Sequence, residues 1–98
     1  MTFSEFKDST NNNAPPTGIS DLLLALWYDA RENWDKAHTI AQDISSTGGS
    51  PLYAYLHRVE GDVWNAGYWY NMAHTTSFKG PLEEEWESLV KRFLSNKY

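Results

Sequence analysis

The stretch from Tyr53 to Ala73, YAYLHRVEGDVWNAGYWYNMA, holds a helix stop, a helix start and the densest run of aromatic residues in one place. It constrains the fold more than any other part of the chain. Leu52, Tyr55, Leu56 and Val59 follow the i, i+3, i+4, i+7 rhythm of one helical face, and Val63, Ala66, Trp69, Tyr70 and Ala73 follow it again. Between the two runs stands Glu60-Gly61-Asp62. Gly61 can take the left-handed conformation that ends a helix without a Cβ penalty, and Asp62 can accept hydrogen bonds from the unpaired N–H groups that open the next helix. The stretch therefore reads as an antiparallel helical hairpin.

Apolar faces and caps continue on both sides of it. Ile19, Leu22, Leu23, Leu26, Trp27 and Ala30 mark a first helix, with Ser20 or Thr17 as its cap. Trp34, Ala37, Ile40, Ala41 and Ile44 mark a second, with Asn33 placed to cap it. Ser45-Ser46-Thr47-Gly48-Gly49 reads as a loop, and Ser50-Pro51 as the cap and first residue of the next helix. Gly80-Pro81 starts a last helix, on which Leu82, Trp86, Leu89, Val90 and Phe93 form the buried face. Glu83, Glu84, Glu85 and Glu87 near its start, with Lys91, Arg92 and Lys97 near its end, are placed as the helix dipole favours, and this acidic run is assigned no function. With no strand pattern anywhere, the expectation is an all-α fold of five helices: two antiparallel hairpins closed by a C-terminal capping helix. Residues 1–17 are polar, with Asn11-Asn12-Asn13 and Pro15-Pro16, and are expected to form a flexible N-terminal arm that only Phe3 and Phe6 could pin. A single helical domain is expected over 18–98.

A chain of 98 residues has room for one modest core, and with aromatics at 15% that core must be built largely on rings. The net charge is −5 and the eight Lys and Arg are scattered, so there is no electrostatic footprint for nucleic acid. The absence of cysteine removes disulfides and thiolate metal sites and fits a reducing compartment. No run approaches the ~20 apolar residues of a membrane span. Cytoplasm is the expected location, with no membrane partner.

Aligning Glu32 to Ala37 with Gly61 to Ala66 places Ala37 on Ala66 at an offset of 29 residues, and Ile40/Trp69, Ala41/Tyr70 and Ile44/Ala73 then coincide. That is an internal repeat. The pattern Gly61-x-Val63-x-x-Ala66, and Glu32-x-Trp34-x-x-Ala37 with Glu for Gly, resembles the G-x-Y-x-x-A of tetratricopeptide repeats and their Sel1-like relatives over roughly residues 19–95. The run LHRVEGDVWNAGYWY at 56–70 further resembles a small family of bacterial proteins of unassigned role described as tetratricopeptide-like. The resemblance implies a helical-repeat fold and brings no activity with it.

His57, Arg58, Glu60 and Asp62 form the most chemically varied cluster. Imidazole beside carboxylates is raw material for general acid–base catalysis. The structural reading explains the same residues as a helix end: Asp62 as a cap, Arg58 as its i, i+4 partner, and His57 as half-buried beside Tyr53. No helically spaced histidine pair, Gly-rich phosphate loop or nucleophile motif occurs, so no metal and no cofactor is expected. Trp64 and Tyr68 form an i, i+4 pair off the main stripe of their helix. They either meet Trp86 and Phe93 inside the monomer, which is the commoner fate of such rings, or form an exposed partner surface.

The leading function is a protein–protein interaction or self-association module without chemistry of its own, its partner another protein or a second copy in a homodimer. Its candidate surface is Tyr53, His57, Arg58, Glu60, Trp64 and Tyr68. The alternative is a small enzyme or ligand-binding accessory protein using His57 with Glu60 or Asp62 in an aromatic-walled pocket. A purely structural homo-oligomer is the third class.

Overall fold

The computed structural model describes residues 1–44 and 49–95. Among them the chain forms six helices and no strand: α1 (Phe3–Ser9), α2 (Asp21–Ala30), α3 (Trp34–Gln42), α4 (Ser50–Glu60), α5 (Val63–Met72) and α6 (Leu82–Ser95). The fold is all-α. Helix α2 packs on α3 and α4 on α5 as two hairpins, α3 meets α4, and α6 lies over α2 and α4 with α1 against it. The core between them is ring-rich as expected. Trp27 and Trp86 are both buried in it, and each indole N–H reaches a carbonyl, Ser9 at 3.2 Å and Leu26 at 3.0 Å. Without those acceptors two buried donors would be left unpaired.

Each hairpin turns in the same way. Gly61 is left-handed with φ 87°, its N–H donates to Arg58 O at 3.0 Å, and the Asp62 N–H donates to His57 O at 2.8 Å. Asp62 Oδ1 then caps α5 by accepting the Asn65 N–H at 3.2 Å. Twenty-nine residues earlier, Glu32 takes φ 61°, its N–H donates to Asp29 O at 2.9 Å, that of Asn33 donates to Tyr28 O at 2.9 Å, and Asn33 Oδ1 accepts the Lys36 N–H at 3.3 Å. Burial follows the same offset. Leu22, Leu23, Ala25, Leu26 and Trp27 on α2 answer to Pro51, Leu52, Ala54, Tyr55 and Leu56 on α4, and Ala37 and Ala41 on α3 to Ala66 and Tyr70 on α5.

Three expectations are corrected. The arm expected over 1–17 carries α1, closed by a capping box in which Thr2 Oγ1 accepts the Glu5 N–H and Glu5 accepts the Thr2 N–H. Phe6 is fully buried, and its ring and that of Phe3 pack on Trp86 with centroids 5.9 and 5.8 Å apart. The count of helices is therefore six among the described residues, not five. Second, the N-cap of α4 is Gly49, without a side-chain cap bond, while Ser50 begins the helix and is buried. The Ser45 to Gly48 part of the expected loop lies outside the described residues. Third, Arg58 does not reach Asp62. It crosses to α6 and pairs with Glu85, which is buried and holds that guanidinium in addition to its place in the acidic first turn of the helix.

Candidate functional site

Three pairs of rings, one per helix, meet on the face shared by α3, α4 and α5, those on α3 and α4 at i, i+4 spacing and that on α5 adjacent in sequence. Trp34 and His38 stack at 4.6 Å on α3, and His38 meets Tyr53 and His57 of α4 edge-on, each at 6.2 Å. Tyr53 in turn stacks on Trp69 of α5 at 4.8 Å, and Trp69 meets Tyr68 edge-on at 5.2 Å. The result is a continuous band of rings across three helices, anchored where the Trp34 indole donates to Leu56 O at 3.3 Å. Of the candidate surface, Tyr53, His57 and Tyr68 belong to this band. Trp34, His38 and Trp69 were missed, although the spacing of Trp34 and His38 matches that of Tyr53 and His57 and was a usable signal.

At the hairpin tip, His57 Nδ1 lies 3.8 Å from Asp62 Oδ2 and 3.9 Å from Glu60 Oε2, too far for a hydrogen bond. Among the described residues it is the one buried side-chain nitrogen or oxygen without a hydrogen-bond partner. The Asp62 carboxyl is held below its ordinary range by the side-chain and backbone N–H groups of Asn65. Arg58 turns away from this group. Its guanidinium donates to Glu85 Oε1 at 2.6 Å and Gly80 O at 2.7 Å and lies over the Phe78 ring, while the Tyr70 hydroxyl donates to Glu85 Oε2. Arg58, Tyr70 and Glu85 thus form a closed network that ties α4, α5 and α6 together. Burial pushes the Tyr70 hydroxyl pKa up, and the Glu85 bond adds to it, so Tyr70 stays a donor.

Trp64 and Tyr68 are on the outside, at 80% and 50% exposure, with Val63 at 74% and Met72 at 46%. The expected core contact with Trp86 and Phe93 is therefore overturned. Both of those rings sit in the main core, under α6 where it lies over α2 and α4, whereas the cluster beneath α5 is the smaller one of Ala54, Ala66 and Tyr70. The residues that hold the equivalent positions on the first hairpin are Asp35, Thr39 and Asp43, all exposed. Where one hairpin presents two acids and a hydroxyl to solvent, the other presents Trp64, Tyr68 and Met72. The fold of the hairpin does not require apolar side chains there.

A cleft of 410 Å³ opens between α1, α2, α4 and α6, with Lys7, Asp29, Glu32, Tyr55 and Glu83 among its lining residues. Asp29 Oδ2 accepts the Tyr55 hydroxyl at 2.6 Å, and burial raises the Asp29 pKa against the opposing effect of that bond. No group of three or more His, Asp or Glu among the described residues is placed to hold a metal ion, and no described helix is long and apolar enough to cross a membrane. Compared with protein-family models, with curated proteins and with solved structures, the chain matches none.

Proposed function

We propose that the chain is an interaction module of the tetratricopeptide or Sel1-like kind, acting in the cytoplasm by docking a protein or a second copy of itself, with no chemistry of its own. The observation that carries this reading is the α5 stripe. Trp64, Tyr68 and Met72 are exposed at positions where the equivalent hairpin carries Asp35, Thr39 and Asp43. Exposed apolar side chains in a connected patch are unfavourable in water and mark partner surfaces when the monomer has no use for them. The ring band beneath supplies a rigid base, since Tyr68 leans on Trp69 and Trp69 on Tyr53. Rigid aromatics lose little conformational entropy on binding and are the usual anchors of interfaces.

The test is a photoreactive phenylalanine derivative placed at Tyr68 in living cells, with the same residue at Thr39 as control. Adducts at position 68 and none at 39 are expected. Equal yields at both positions, or no adduct at either, would remove the α5 docking face.

A second reading, the small enzyme or ligand-binding accessory protein, is favoured by the unpartnered Nδ1 of His57 beside Asp62 and Glu60. Against it, Trp64 and Tyr68 face solvent and do not wall a pocket around His57.

A further inference from the structure

The α5 surface consists of two adjacent rows at i, i+4 spacing. One row is Trp64, Tyr68 and Met72, and the other is Val63, Gly67 and Asn71. The first is a ridge of large exposed side chains; the second has a gap at its centre. A Cβ built on Gly67 would meet nothing within 4 Å, so packing inside the monomer does not demand glycine there. Mid-helix glycine lowers helix stability by ~1 kcal/mol relative to alanine, which makes an unneeded one informative. A notch beside a ridge is what a second helix crossing in the ridge-into-groove manner requires.

Symmetry selects the occupant. When two copies of α5 are laid antiparallel about a twofold axis between Gly67 and Tyr68, residue 68+k of one copy faces residue 67−k of the other. Tyr68 then opposes Gly67, Met72 opposes Val63 and Trp64 opposes Asn71, so the ridge of each copy lies along the notched row of the other. The α5 face is thus complementary to itself when reversed, as an isologous interface must be. Charge agrees: the chain carries −5, yet Val63 to Met72 contains no charged residue, so two like-charged copies can meet on this face without opposing their charges. With aromatics that bury about 150–250 Å² each when fully covered, the exposed side chains here offer roughly 400 Å² per copy, which with a polar rim approaches the small end of specific interfaces.

We propose that the α5 face pairs with the α5 face of a second copy of this chain, Tyr68 of each seated over Gly67 of the other, to form a weak antiparallel homodimer. This rests on the reading of the chain as an interaction module and names the partner of that face. The test is sedimentation equilibrium on the purified chain and three variants. The parent is expected to dimerise in the micromolar range. Trp64→Glu is expected to be monomeric. Gly67→Ala and Gly67→Leu fill the notch and are expected to weaken the dimer by roughly tenfold or more, since overpacking a fitted contact carries that scale of penalty. In dilute solution, where only monomer is present, Gly67→Ala should raise Tm, which separates a filled notch from a damaged fold. A parent that stays monomeric at high micromolar concentration overturns the proposal, as does a dimer that either Gly67 variant leaves unchanged. In both cases adducts from position 68 to a different protein would leave the interaction-module reading standing, whereas the absence of all adducts would remove that reading separately.

Discussion

Glu32 and Gly61, 29 residues apart, hold the same left-handed backbone position at the ends of α2 and α4, with φ of 61° and 87°. For an L-residue that region costs about 1–2 kcal/mol, and glycine enters it freely. Exchanging the two situations should therefore have opposite signs. Gly61→Val is expected to lose more than ~1 kcal/mol, and Glu32→Gly to gain about 0.5–1 kcal/mol after the extra entropy of an unfolded glycine is subtracted. Urea titrations measure both. Two shifts of the same sign would show that something other than backbone strain governs these turns.

Arg58 and Glu85 offer a second test because Glu85 is only 3% exposed and its charge is balanced by one guanidinium. Arg58→Met leaves that carboxylate beside Tyr70 alone and is expected to destabilise by about 3 kcal/mol, near the lower end for a broken buried pair because a fifth of the Arg58 side chain, 21%, still meets solvent. The double variant Arg58→Met with Glu85→Leu should lose less than the single Arg58→Met. A double-mutant cycle that is additive would mean the pair does not act as a unit.

Both features bear on what a sequence can disclose. The turn at Gly61 and Asp62 was legible because backbone conformation and capping are local, and the 29-residue offset carried the same turn to Glu32 and Asn33. Capping also marked α1: Thr2 and Glu5 have the spacing of a capping box, but two phenylalanines in a polar decapeptide do not show that Trp86 waits for them. Nonlocal pairing stayed hidden for the same reason. Arg58 has an acid four residues on, and nothing in the spacing says that it prefers one 27 residues away. Trp64 and Tyr68 were placed inside because rings at helical spacing usually are; only the position of α6 over α2 and α4 leaves their side of α5 open. Of the candidate surface, its chemistry was readable and its exposure was not.

Asp29 gives a pH dependence with a definite sign. Burial raises its folded pKa above the ordinary 3.8, with the Tyr55 hydrogen bond opposing. A carboxyl raised in this way favours folding fully below its unfolded pKa, and that contribution is lost as pH rises through the folded value. Asp29→Asn retains an acceptor for Tyr55 and cannot ionise, so it should be more stable than the parent at neutral pH, with the advantage shrinking to nothing below pH 3.8. Asp62 runs the other way. Its pKa is lowered by Asn65, so its contribution is present above 3.8 and is lost as pH falls through the folded value. Asp62→Asn should therefore lose stability relative to the parent at neutral pH and approach it in acid. Thermal melts across this range check both, and parallel curves for either variant and the parent would refute the corresponding assignment.

His57 separates the interaction module from a chemical site. Its ring packs edge-on against His38 with 17% of the side chain exposed, and its buried Nδ1 has no hydrogen-bond partner. Two structural effects oppose each other there: the ring contributes contact, and the orphaned nitrogen costs about 1–3 kcal/mol of unrecovered hydration. His57→Phe keeps a ring and removes the nitrogen, so a purely structural histidine predicts a Tm equal to or above the parent. His57→Ala removes the contact too, leaves space between His38 and α4, and should lower stability by about 1 kcal/mol. A histidine retained for chemistry behaves differently, because functional sites hold groups at the expense of stability and tolerate truncation. If His57→Ala melts at or above the parent, the structural account fails and the nitrogen is being kept for a ligand, with Asp62 and Glu60 the carboxylates that would share it. A drop for His57→Ala together with a gain for His57→Phe instead leaves Nδ1 as a packing defect within the ring band, and removes the observation that favours a chemical site there.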